Sequence, residues 1–157
     1  MKITANDTTT YRIHLDVLNS LFDCDLKAHR RAAKLLPNDA LVWFPKLSNG
    51  KKLTNDALEW VNVLLDGGKT IKEYWPLHRS QDQLDRDDRK FGNKRRLVFA
   101  KYKNGSQDDV YRFLGVYVSV EKFPKEKYTI YKRLSSAIET SDYASSVHTL
   151  PAIEPEN

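Results

Sequence analysis

Lys27, Arg30, Arg31 and Lys34 fall on one face about 100° wide if residues 25–36 are helical. Leu26, Ala28, Ala32, Ala33, Leu35 and Leu36 take the rest of the wheel, and no acidic residue stands between Asp25 and Asp39. Cations at that spacing can contact successive phosphates of a nucleic acid. The same face would equally serve to solvate an amphipathic helix. A second group, Arg89-Lys90-Phe91-Gly92-Asn93-Lys94-Arg95-Arg96, places cations around a Gly-Asn step. Lys94, Arg95 and Arg96 there are candidate backbone contacts, with Gly92 allowing close approach. Asp82, Asp85, Asp87 and Asp88 lie just upstream and are placed to neutralise that group. Tyr74 and Trp75 stand beside His78 and Arg79, outside any helical stripe, where an aromatic ring could stack on a base. The alternative is a Trp that plugs the loop onto the body of the domain.

Signals for catalysis are weaker. Asp88-Arg89-Lys90 and Asp25-Leu26-Lys27 both carry the carboxylate-x-Lys tripeptide of metal-dependent nucleases, but neither sits on a clear strand. Gly115-Val116-Tyr117 and Thr129-Ile130-Tyr131 superficially resemble the paired motif of GIY-YIG nucleases, yet Lys132 stands where the second glycine belongs. No HExxH, GxSxG or nucleotide-binding glycine loop occurs. Catalytic residues, metal ligands and cofactors are therefore all assigned as none, and a binding role is expected over an enzymatic one. Cys24 is the only cysteine, and His14, His29, His78 and His148 have no zinc-site spacing. The 157 residues are 40% apolar and 30% charged, which fits one globular domain. Twenty-six Lys and Arg against 21 Asp and Glu leave a net charge of +5, favouring polyanionic partners. No apolar run approaches the ~20 residues of a membrane helix, so no membrane partner is expected and the cytoplasm is the simplest compartment.

The elements that would position these residues divide by period. Residues 8–38 read as two helical pieces broken near Phe22 to Asp25. Residues 41–45 read as a strand, and Ser48 to Lys51 as a turn. Ala57, Leu58, Val61, Leu64 and Leu65 form a stripe that predicts a helix from Asn55 to Asp66, capped by Thr54 or Asn55 and stopped by Gly67-Gly68. Residues 77–94 read as a loop that holds at most a short helix. Three strands follow, at 95–102, 110–120 and 127–134, joined by turns at Asn104-Gly105-Ser106 and Phe123-Pro124-Lys125 into an antiparallel meander. The middle strand is apolar on both faces, so it must be covered on both sides, and Gly115 suits a bulge. One domain over 1–134 is expected, with 135–157 as a flexible tail or linker.

Arg96-Leu97-Val98-Phe99-Ala100-Lys101-Tyr102, Val110 to Tyr117 and Tyr131-Lys132-Arg133-Leu134 resemble the last strands of PUA-like modules in bacterial restriction and defence proteins. The resemblance covers about a quarter of the chain. It implies a β-barrel that reads DNA or RNA, in some relatives by flipping out a modified base. The expected fold class is thus α+β, a curled antiparallel sheet or small PUA-like β-barrel packed by helices. The expected function is a nucleic-acid-binding module, with DNA favoured over RNA. A small metal-dependent nuclease using residues 82–90 and a protein-interaction domain are the alternatives. Nothing in the sequence fixes an oligomeric state.

Overall fold

Successive side chains along a strand point to opposite faces, and here that alternation sorts the apolar residues into two cores. The computed structural model describes residues 1–48, 59–102 and 109–144. In chain order the elements are β1 (Lys2–Thr4), α1 (His14–Phe22), β2 (Ala33–Leu36), β3 (Ala40–Trp43), β4 (Lys46–Leu47) and β5 (Val61–Leu65). They continue with β6 (Thr70–Tyr74), α2 (Gln81–Phe91), β7 (Arg95–Tyr102), β8 (Arg112–Phe123), β9 (Tyr128–Ser135) and β10 (Ala137–Glu139).

Six strands close on themselves in the order β7-β4-β5-β6-β9-β8, with β8 returning to β7. β3 lies parallel to the first half of β7 and β4 to its second half, with Phe44 and Pro45 between them. β2 pairs antiparallel outside β3. β1 and β10 form a separate two-stranded ribbon. This is the expected small PUA-like α+β barrel, and β7, β8 and β9 form the expected antiparallel meander. Among the described residues, no helix is long and apolar enough to cross a membrane.

Leu41, Trp43, Leu47, Ile71, Val98, Ala100, Tyr117 and Tyr131 fill the barrel. Ala40, Val42, Leu97, Phe99, Phe113 and Val116 point outward, where Val17, Leu18, Leu21 and Phe22 of α1 and Ile138 of β10 cover them. Two covered faces are what the apolar middle strand requires. Gly115 supplies the expected irregularity, at φ +129°, where a Cβ would stand 2.6 Å from Arg133 Cδ. The pairing register shifts on either side of it. The bulge moves Val116 to the same side as Phe113 and Tyr117 to the side of Leu114, so alternation does not run unbroken along this strand.

Two expected helices are not formed. Residues 25–32 have no regular structure and Ala33–Leu36 is strand β2, so the four cations Lys27, Arg30, Arg31 and Lys34 do not share a helical face. Pairing of Ala33 to Leu36 with Trp43 to Ala40 overrides the helix propensity of an Ala-, Lys- and Leu-rich run. Val61–Leu65 is strand β5 instead of the second half of a helix, and Val61, Val63 and Leu64 are all half-buried. Gly67 and Gly68 do adopt positive φ, but in the turn of the β5–β6 hairpin. The proposed caps Thr54 and Asn55 lie outside the described residues, as do positions 49–51 and the turn at Asn104-Gly105-Ser106. Of residues 135–157, 137–139 form β10, and 145–157 lie outside the described residues.

Candidate functional site

Asn62 of β5 is the register partner of Glu73 of β6, and Glu73 is the partner of Thr129 of β9. Three polar side chains thus cross three neighbouring strands on the inward face, and all are buried, at 4%, 7% and 3% exposure. A polar group in such a place is costly unless bonded. Glu73 accepts from the Tyr131 hydroxyl at 3.3 Å. Among the described residues, no ion pair includes it. Burial pushes its carboxyl up to about 7, against a partial pull downward by Arg96, Tyr131 and Asn62. Asn62 Oδ1 is buried with no hydrogen-bond partner. The Thr129 hydroxyl accepts from Trp75 Nε1 at 2.9 Å.

These residues line a cavity of about 1380 Å³ at one end of the barrel, together with Trp43, Trp60, Trp75, Arg96 and Tyr131. Arg96 is two residues before Val98 on the inward face of β7. Its guanidinium lies over Trp43 at 4.8 Å and over Tyr131 at 4.6 Å, and its Nε is buried without a partner. Trp60 stands at the mouth, 37% exposed, with the Arg79 guanidinium 5.7 Å from its ring. Arg79 in turn makes a bidentate pair with Asp87 of α2, at 2.7–3.0 Å. An enclosed slot of aromatic rings around unsatisfied donors and acceptors suits a flat heterocycle with polar edges.

The cavity walls differ in charge. Arg30, Arg31 and Lys34 line it from the strand that leads into β2, while Asp85, Asp87 and Asp88 line it from α2. Lys27 is exposed and away from it. Of the second basic group, Arg96 is inside the cavity, Lys94 pairs with Asp39 at 2.9 Å, and Arg95 is exposed. The upstream acids do pair with cations, Asp87 with Arg79 and Asp88 with Lys122. The close approach at Gly92 is internal, since a Cβ there would stand 2.5 Å from the Asp88 carbonyl oxygen. Trp75 lines the cavity and is only half-buried. Tyr74 points to the opposite face, 5.6 Å from Tyr128 and beneath Lys72.

Trp60, Asn62, Glu73, Arg79 and Tyr131 are the cavity residues that sequence reasoning did not single out. Their signal was period two. Trp60 and Asn62, then Glu73 and Trp75, alternate inward on two strands of one hairpin. A helical reading of residues 55–66 hides the first pair.

A family model described as the SET and RING associated domain matches residues 1–140. No curated protein matches the chain. Among solved structures, the chain is similar to the 5-hydroxymethylcytosine-specific restriction enzyme AbaSI, with a TM-score of 0.68 and 27% identity. The superposition covers 92% of this chain and 43% of AbaSI, so the chain spans less than half of that enzyme's length.

Proposed function

The chain belongs to the SET and RING associated (SRA) family, and from that premise we propose that its barrel cavity takes up a modified cytosine flipped out of duplex DNA, with 5-hydroxymethylcytosine the favoured base. The chain is a PUA-like DNA-reading module of the kind found in restriction proteins. The observation that carries the assignment of the cavity is the ladder Asn62–Glu73–Thr129, buried and in register beneath aromatic walls.

Cytosine presents an N4 amino donor beside acceptors at N3 and O2. Glu73 holds its proton to about pH 7, so its carboxyl offers one acceptor and one donor side by side. That pair complements N4–H and N3. Arg96 is a donor for O2, and the orphaned Asn62 Oδ1 is an acceptor for the hydroxyl on the 5-substituent. Trp60 and Trp75 supply stacking surface worth ~1–3 kcal/mol per base. These gains offset the few kcal/mol needed to unstack and unpair the nucleotide. The resemblance to AbaSI favours 5-hydroxymethylcytosine over other modified bases.

Fluorescence anisotropy with three duplexes of one sequence, carrying cytosine, 5-methylcytosine or 5-hydroxymethylcytosine at one position, tests this. The hydroxymethylated duplex should bind at least tenfold more tightly than the unmodified one. Equal affinity for all three would contradict the reading.

A further inference from the structure

The cavity is larger than one flipped nucleotide requires, since pockets that enclose drug-sized ligands span about 300–1,000 Å³, and this one is about 1380 Å³. The additional space is a bay lined by His14 at the start of α1, His29, Phe44, Lys46 of β4, Lys101 of β7 and Tyr111. We infer that this bay is a phosphodiester-binding site, which holds a backbone phosphate of the DNA whose base enters the barrel. The inference rests on the DNA-reading assignment, but its residues are separate from the base-recognition ladder.

Lys46 and Lys101 are direct register partners on adjacent parallel strands. Like charges so placed repel one another, and an anion between them relieves the repulsion. Lys101 has one counter-charge, Asp109 at 2.9 Å, and also lies 5.0 Å over the Tyr111 ring. Among the described residues, no ion pair includes Lys46.

The two imidazoles complete the bay. His14 stacks on Phe44 with ring centroids 3.9 Å apart and its Nε2 shares a 2.9 Å hydrogen bond with the Tyr111 hydroxyl. His29 lies 5.6 Å from it. His14 Nδ1 and His29 Nε2 are buried without hydrogen-bond partners, a cost that a ligand oxygen reached by a small ring rotation would remove. Burial first, then the charges of His29, Lys101 and Lys46, holds His14 down to about 4. The potential at the ring is therefore positive, as an anion site requires. Arg31 and Lys34 continue the positive wall toward solvent.

The test is the salt dependence of binding by the intact chain and by a Lys46→Gln, Lys101→Gln double variant. Hydroxymethylated and unmodified duplexes are both titrated. Removing one cation from a duplex phosphate lowers the log-affinity against log-salt slope by about 0.9, so the double variant should fall by about 1.8 on both duplexes. Its preference for the modified base should be unchanged. An unchanged slope overturns the bay, and so does a lost preference with the slope intact. If the wild-type chain shows no modified-base preference, the cavity reading fails, while the slope on unmodified duplex still decides the bay. A measurement on the unaltered chain guards against a variant that misfolds. The ring resonances of His14 and His29 should move on addition of duplex, and weakly or not at all with millimolar inorganic phosphate. Resonances that stay fixed at saturating duplex would overturn the proposal.

Discussion

A carboxyl group enclosed as Glu73 is keeps its proton to about pH 7, where a free glutamate ionises near 4.5. The consequence for stability has a definite sign. Below pH 4.5 the group is protonated in both folded and unfolded chains and contributes nothing. As pH rises from 4.5 to 7 the unfolded chain gives up its proton more readily, so stability conferred by the neutral form is lost, on the order of 3 kcal/mol in full. Glu73→Gln removes this titration while keeping a donor and an acceptor in the same place. Urea unfolding at pH 5 and pH 8 should show the variant gaining on the wild type as pH rises. A constant difference between the two proteins would mean that Glu73 is ionised in the folded chain. The same substitution should retain binding of hydroxymethylated DNA and abolish the weakening that the wild type shows above pH 7, because an amide presents N3 and N4 with the pattern of a neutral acid.

Helix α2 carries no buried side chain. It is polar all round, begins with a Ser80–Gln83 capping box and borders the cavity. Its attachments include the Arg79–Asp87 pair, the Lys122–Asp88 pair and a 3.2 Å hydrogen bond from Ser119 Oγ to the Gly92 carbonyl. Arg79 therefore links the helix to the Trp60 ring. A partly exposed ion pair contributes ~0–1 kcal/mol and an exposed cation–π contact ~0.5–1 kcal/mol. Arg79→Ala should thus lower affinity for the modified duplex several-fold and shift Trp60 emission to the red, with a melting temperature within a few degrees of wild type. Unaltered emission would show that Arg79 does not position that ring. At this scale the sequence was legible where a strand meets its own neighbours. β7, β8 and β9 alternate, are joined by short connections and pair with one another. It was misleading where the partner is distant. Ala33 to Leu36 and Val61 to Leu65 are strands because of β3, β4 and β6, and their apolar spacing also fits a helix. The site suffered most from this. Its ladder joins positions 62, 73 and 129, a relation that exists only once the barrel has closed. The positive wall was readable as composition, but Arg30, Arg31 and Lys34 reach it from an irregular segment and a strand, and Lys27 does not reach it.

Across the whole molecule the net charge of +5 matters less than its separation into a basic wall and the acidic face of α2. DNA approaching the cavity should lie against Arg30, Arg31 and Lys34 and away from α2. Replacing those three with Gln should reduce the salt slope on duplex DNA by up to about 2.7, at about 0.9 for each phosphate, whereas Lys27→Gln should leave it unchanged. Equal effects from Lys27 and from any of the three would mean that attraction is diffuse and the wall does not orient the duplex. Each of these roles depends on a base leaving the helix and entering the barrel, and that event can be observed directly. A 2-aminopurine placed next to a single 5-hydroxymethylcytosine loses its stacking partner when the modified base swings out, and its fluorescence rises. Titration with this protein should raise the emission several-fold on the hydroxymethylated duplex and little on the matched unmodified one. Saturated binding with no rise in emission on the modified duplex would contradict base flipping and the role assigned to the cavity.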